Sequence, residues 1–290
     1  MPESTAFRNE EATRKGEKMA DPTFPANNPQ MGDDFAAVYE VTAHRITGPV
    51  SNTALDLVGV GPGARILDIA AGAGALSGPA AERGATVLAT DVAPGMVRRL
   101  AERLRPFRRC EALQMDGAAL TVPEVSFDAT FSIFGVMLFS DWRRGLREQA
   151  RVLRSGGKAC VATWGEPPGG GPFIAMSAAF RSVFPDLSPP PSPPGMLALS
   201  DAGRLSAEMS AAGLSSVEVH RVEGIWRGGV GDAYFEDTEA LHGYMQPYAA
   251  LDQADRERIR AAIRTFIAER SVGETVDFRS PVLVAIGYRI

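Results

Sequence analysis

The stretch Arg65-Ile-Leu-Asp68-Ile-Ala70-Ala-Gly72-Ala-Gly74 narrows the folding options more than any other. A short apolar run ends in an acid, and a turn of alanines and glycines leads directly into a helical pattern. Small residues let another molecule approach the backbone closely. A helix that begins there directs unpaired N–H groups and a partial positive charge at whatever approaches. The same rhythm continues downstream. Strands are expected over 86–90, 112–115, 127–134 and 158–164, and helices over 74–83, 94–104 and 141–153, the last stopping at Gly156-Gly157. Such alternation with short linkers predicts an α/β fold, a doubly wound, mostly parallel sheet with helices on both faces. Two further strands, at 216–222 and 281–288, bring the count to seven.

The flanking regions behave differently. Residues 1–30 combine a charged run with Pro22, Pro25 and Pro29 and are expected to be a disordered tail, because little apolar surface offsets the entropy of ordering them. One domain is expected over 31–290. It opens with a helix over 35–42 and a second helix over 55–58 that ends at Gly59. After Trp164 a Gly- and Pro-rich segment, a helix over 173–184 and the proline cluster from Pro185 to Pro194 interrupt the rhythm; a helix follows over 200–212. Residues 233–269 read as helical with a break near Pro247. Segments of about 166–200 and 224–275 are therefore expected as lid-like insertions.

Charge and cysteine content exclude several classes. The chain of 290 residues carries 30 Lys and Arg against 35 Asp and Glu, a net charge of −5. Bulk positive charge for nucleic acid is absent, and no basic, aromatic-laced groove is visible. Two cysteines, Cys110 and Cys160, make neither a disulfide framework nor a four-thiolate zinc site. No metal is expected. No apolar run approaches the roughly 20 residues that span a bilayer, and the N-terminus has no apolar leader segment. A cytoplasmic protein without a membrane partner is expected, as a monomer or homodimer.

Four features fall at the carboxyl ends of successive strands, the edge at which open parallel sheets bind ligands. The first is Asp68 with its small-residue turn. The second is Asp91, 19 residues after Gly72, near the ~20-residue interval of an acid that grips two ribose hydroxyls. The third is Asp116-Gly117, where an acid can accept from an adenine amino group. The fourth is Phe134-Gly135.

Together these segments resemble the class I S-adenosylmethionine-dependent methyltransferases of the small-molecule branch, most closely over residues 35–165. LDIAAGAGALS resembles the glycine-rich first motif, ATDVAPGMV the second and QMDGAAL the third; FDATFSIFGVMLFSDW and RVLRSGGKACVATW resemble the strand-four and strand-five segments. The resemblance implies a Rossmann-like sheet that binds S-adenosyl-L-methionine and releases S-adenosyl-L-homocysteine. Its cofactor residues would be Asp68, Ala70, Gly72, Gly74, Asp91, Val92, Met96, Asp116, Gly117 and Phe134. Ala70 stands where the family usually has glycine, which is compatible with close approach at negative φ. Met137, Phe139 and Trp164 are candidates for the acceptor pocket, and the acceptor is expected to be a small apolar or aromatic molecule.

A catalytic base is not written in the sequence. Val136-Met137-Leu138-Phe139 has no titratable group, although family relatives often carry histidine there. Tyr39, His44 and His242 are the remaining candidates, while His220, the third histidine, falls on a strand. Two other readings stay open: a cofactor-binding protein that is not a methyltransferase, such as a cyclase or a pseudoenzyme, and a nicotinamide oxidoreductase. For the latter, Gly72 to Ser77 is a poor GxGxxG. Whether O, N or C is methylated is also open.

Overall fold

The computed structural model describes residues 28–290. The expected tail over 1–30 thus lies mostly outside the described residues, and its last residues enter a 3-10 turn, Pro29–Met31. The order continues as α1 (Asp33–Val58), β1 (Arg65–Ile69), α2 (Ser77–Glu82), β2 (Thr86–Asp91), α3 (Pro94–Leu104), β3 (Cys110–Gln114) and β4 (Phe127–Ile133). A 3-10 turn at Val136–Leu138 precedes α4 (Trp142–Val152) and β5 (Leu153–Trp164). Then come α5 (Pro172–Val183), α6 (Pro194–Ala198), α7 (Ala202–Ala211), β6 (Leu214–Gly229), α8 (Asp232–His242), α9 (Gln246–Ala249), α10 (Gln253–Ala268) and β7 (Thr275–Arg289).

All seven strands form one sheet in the order β3-β2-β1-β4-β5-β7-β6. The first five are parallel, and β7 runs antiparallel to both β5 and β6. Apolar side chains on β1, β2, β4 and β5, among them Ile66, Leu67, Val87, Phe131 and Val161, are fully buried, as expected of strands covered on both faces. The chain progresses outward from β1 in one direction and returns through β4 in the other. A crevice therefore opens at the carboxyl ends of β1 and β4.

Three elements differ from the sequence reading. The two expected opening helices are one 26-residue helix that carries Pro49 in its interior. Buried Ala36, Ile46, Val50, Ala54, Leu55 and Val58 keep one helical face against the sheet, which offsets the hydrogen bond that proline removes. Its end is a left-handed Gly59 (φ 79°), with Gly59 N–H and Val60 N–H both donating to the Leu55 carbonyl. Second, α4 stops at Val152 and passes straight into β5, so Gly156 (φ 75°) and Gly157 bend a strand and do not end a helix. Third, residues 224–229 are strand. They continue β6, pairing with 275–280 of β7 beyond Trp164, which itself pairs with Val282. The two strands thereby form a ribbon that stands past the carboxyl edge, stiffened by Trp226 stacked on Phe278 at 5.7 Å.

Candidate active site

At the end of β1 the chain turns sharply. Ala70 (φ 55°), Gly72 (φ 56°) and Gly74 (φ 90°) all take left-handed backbone conformations, and the turn consumes residues up to Leu76 before α2 begins. Negative φ, the condition under which the sequence reads alanine as compatible with close approach, is not what Ala70 adopts. Phe134 (φ 58°), at the end of β4, is also left-handed. A Cβ on the neighbouring Gly135 would lie 2.6 Å from the Ala70 Cβ, so the crevice is built of backbone segments pressed together. Strain of this kind concentrates at binding sites.

The two acids beneath the turn have distinct partners. Asp68 is 1% exposed and accepts a 2.6 Å hydrogen bond from the Ser77 hydroxyl. Burial pushes its carboxyl up to about 7; the Ser77 hydrogen bond opposes this and the Asp91 charge adds to it. Asp91 accepts from Gly72 N–H and from Ala93 N–H, both at 2.9 Å, one on each oxygen. Burial raises its pKa too, against the pull of those N–H groups. Each oxygen keeps a lone pair for a further donor.

The other expected residues surround this centre. The Asp116 carboxylate accepts from Ala118 N–H at 2.8 Å. Gly117 is packed so closely that a Cβ would meet the Phe139 ring at 2.5 Å and Ile69 at 2.7 Å. Phe139 also presses on Gly145 of α4, so its ring is a wedge between the turn after β3 and α4. Val92 offers its carbonyl to Gln114 Nε2 at 3.0 Å, while Met96 is buried with Ala36, Ala73 and Ala93. The Phe134 and Trp164 rings pack at a tilt of 31° with centres 4.2 Å apart. Met137 is buried, and its carbonyl approaches Gly195 of α6.

Helix α1 roofs the crevice. A cavity of about 30 Å³ remains, lined by Tyr39, His44, Thr47 and Ser51 from α1 and by Asp68, Ala70–Ala73, Ala75, Leu76 and Ile133. Tyr39 lies against Gly72, and burial followed by the Asp91 charge pushes its hydroxyl up to about 12. Burial and then Arg103 lower the pKa of His44, against the pull of Glu40. The Ser51 hydroxyl is buried with no hydrogen-bond partner among the described residues. His44, Thr47 and Ser51 share one face at helical spacing, a signal hidden when α1 is read as two helices.

His242 does not line this cavity. It is fully buried among the rings of Tyr234, Phe235 and Tyr248. Burial, with the Arg260 charge, lowers its pKa to about 4, and neither nitrogen has a partner among the described residues. Among the described residues no cluster of His, Cys, Asp and Glu could hold a metal ion, and no helix is long and apolar enough to cross a membrane.

Residues 66–157 match a family model described as a methyltransferase domain. A demethylmenaquinone methyltransferase from Renibacterium salmoninarum is 37% identical over 158 residues, 53% of this chain and 62% of that protein. An uncharacterised protein from Mycobacterium tuberculosis is 36% identical over 155 residues, 52% of this chain and 56% of the other. The chain thus spans little more than half the length of the curated relatives it matches. Among solved structures, phosphoethanolamine N-methyltransferase 2 from Haemonchus contortus, in complex with S-adenosyl-L-methionine, aligns with a TM-score of 0.54 at 17% identity, covering 90% of this chain and 58% of that one. The [4+2]-cyclase SpnF aligns with a TM-score of 0.53 at 17% identity, covering 84% and 81%.

Proposed function

We propose that the chain, whose residues 66–157 match a methyltransferase-domain model, binds S-adenosyl-L-methionine at the β1–β4 crevice and catalyses transfer of its methyl group to a small organic acceptor. The observation that carries this reading is the pair of buried acids around one left-handed turn. Asp91 keeps free lone pairs on both oxygens for two vicinal hydroxyls, and Asp68 offers a buried carboxylate to an ammonium group. The unpartnered Ser51 hydroxyl adds a donor on the opposite wall. This donor set fits the amino acid and ribose portions of the cofactor. Asp116 and Gly117 would border its adenine, with Val92 and Met96 beside them.

When bound, the cofactor supplies a methyl group activated on a positively charged sulfur. The protein's part is to bind, align and exclude water. Alignment of two reactants contributes up to about 7–11 kcal/mol in the best intramolecular systems. Tyr39 and α1 roof the crevice, and the packed Phe134 and Trp164 rings would give an acceptor an apolar, aromatic wall. No titratable side chain lies from Val136 to Phe139, so proton removal falls to His44, Tyr39 or the acceptor's own ionisation.

The name of the 37% identical relative makes reduced naphthoquinones the first acceptors to test. Calorimetry with S-adenosylhomocysteine, followed by transfer of labelled methyl to hydroquinones, phenols and amines, tests the proposal. Binding of the nicotinamide cofactor in place of S-adenosylhomocysteine would overturn it. Binding without transfer to any acceptor would favour a cyclase-like or non-catalytic role.

A further inference from the structure

Resting on the methyl-transfer reading above, we propose that Ser280 is a specificity-determining residue. Its hydroxyl hydrogen-bonds an oxygen at the far end of an aromatic acceptor, the end remote from the transferred methyl.

Ser280 lies on β7, is 2% exposed, and its hydroxyl has no hydrogen-bond partner among the described residues. A buried hydroxyl left unpaired weakens a fold, and an apolar residue of similar size in its place does not. The neighbours give nothing in exchange. Ser280 pairs with Gly224 of β6, while Val282, two residues on, pairs with Trp164 of β5. Paired residues, and residues two apart on a strand, share a face of the sheet. Trp164, Val282, Ser280 and Gly224 therefore look the same way, and the pair Trp226 and Phe278 follows outward on the same face. That face lies under α1. A Cβ on Gly224 would come within 3.8 Å of the Ile46 side chain, and the Trp226 indole N–H is already given to the Thr42 carbonyl at 3.0 Å. Ser280 is thus a lone unpaired hydroxyl set among aromatic and aliphatic side chains.

Its place along the carboxyl edge indicates what would use it. Phe134 stands at the end of β4 beside the crevice, Trp164 follows at the end of β5, and the two rings pack 4.2 Å apart. Strand β7 comes next. Neighbouring strands are about 4.8 Å apart, so roughly 10 Å separate β4 from β7. A fused-ring acceptor laid along Phe134 and Trp164, with its reacting atom at the crevice, brings its other end to Ser280. A hydroxyl donates to a carbonyl oxygen or accepts from a phenol. An acceptor with an apolar end leaves it unpaired, and sites that hydrogen-bond a substrate oxygen reject analogues lacking it for this reason.

The chain resting on the hydroxyl is Gly169-Gly170-Gly171. A Cβ on Gly170 would lie 2.4 Å from the Trp164 ring and 3.1 Å from Ser280 Oγ, and one on Gly171 3.3 Å from the Trp226 ring, while one on Gly169 would meet nothing within 4 Å. An acceptor takes the place of this segment with no side chain to repack.

The test uses the full chain loaded with S-adenosylhomocysteine and two probes of one shape, 1-naphthol and 1-methylnaphthalene, with affinities read by tryptophan quenching. Ser280→Ala should shift the ratio of the two affinities about three- to tenfold toward 1-methylnaphthalene. Ser280→Thr, which keeps the hydroxyl, should stay nearer the wild type. Ser210→Ala removes an exposed hydroxyl on α7 that bonds only the Ser206 carbonyl, and it should leave the ratio unchanged. Ser280→Ala should also melt about two to four degrees above the wild type, because it removes an unpaired hydroxyl, and should bind S-adenosylhomocysteine as the wild type does. An unchanged ratio overturns the proposal, and so does a loaded wild type that binds neither probe. A Ser280→Ala chain that melts lower or does not fold assigns the hydroxyl to the fold and overturns it as well. A wild type that does not bind S-adenosylhomocysteine overturns the cofactor reading itself.

Discussion

Asp68 is held protonated to about pH 7 by its burial, and this gives the site a pH signature. A ligand ammonium group binds the ionised form, so affinity for S-adenosylhomocysteine should rise about tenfold from pH 6 to pH 8, and Asp68→Asn should flatten that slope. Calorimetry across the range checks it. The same shift acts on stability with the opposite slope. The folded state keeps this proton after the unfolded chain, with a value of 3.8, has released it. The contribution is complete below about pH 4 and lost as pH rises through about 7. His242 works the other way. Its pKa falls from 6.5 to about 4, so its contribution is present above 6.5 and disappears as pH drops through 4. His242→Phe removes two unpartnered nitrogens; it should stabilise the fold by about 1 kcal/mol below pH 6, read by urea unfolding, and leave methyl transfer within about tenfold of wild type. Asp91→Ala should weaken S-adenosylhomocysteine binding at least about 100-fold, since two charge-assisted hydrogen bonds disappear. It should also lower the melting temperature, because Gly72 and Ala93 lose their acceptor. The strand-end acids were legible because strand, acid and turn are adjacent in sequence. Ser51 and Arg103 were not, since each reaches the site across the fold, and Ser77 was legible as part of the turn but not as the partner of Asp68.

Among the elements, α1 separates local from tertiary information. Gly48-Pro49 looks like a break in the chain, and only burial of the face from Ile46 through Leu55 carries the helix across it. The capping glycine at its end was legible, because only glycine adopts φ 79° without strain. Gly59→Ala should cost about 1 kcal/mol in denaturant unfolding through backbone strain alone, since a Cβ there meets nothing within 4 Å. The extension of β6 through Gly224, Gly228 and Gly229 was hidden by its glycines, which read as loop. They are accommodated because neighbours fill their places: a Cβ on Gly228 would sit 2.3 Å from the Trp226 ring, and one on Gly229 2.7 Å from the Ala233 Cβ.

On the scale of the whole molecule, the start of the described chain is tied to the body. Gln30 donates to the Tyr244 carbonyl at 3.4 Å, Met31 packs on the cluster of Ala36, Ala73, Ala93 and Met96, and Gly32 lies against Gly95. A chain beginning at Asn28 should therefore melt several degrees above one beginning at Asp33 and bind S-adenosylhomocysteine more tightly, as differential scanning fluorimetry and calorimetry would show. The doubly wound order was legible from alternation, but the long antiparallel pair at the far edge was not, because its register is fixed by partners 46 to 75 residues apart, from Gly229 with Thr275 to Leu214 with Arg289. That pair has a consequence for redesign. The carboxylates of the crevice belong to β1, β2 and the turn after β3, whereas the ribbon of residues 223–229 and 275–281 rises from the opposite edge. The ribbon pairs with none of β1, β2 and β3, so exchanging it and its helices between homologues should transplant acceptor preference while donor affinity stays with the recipient.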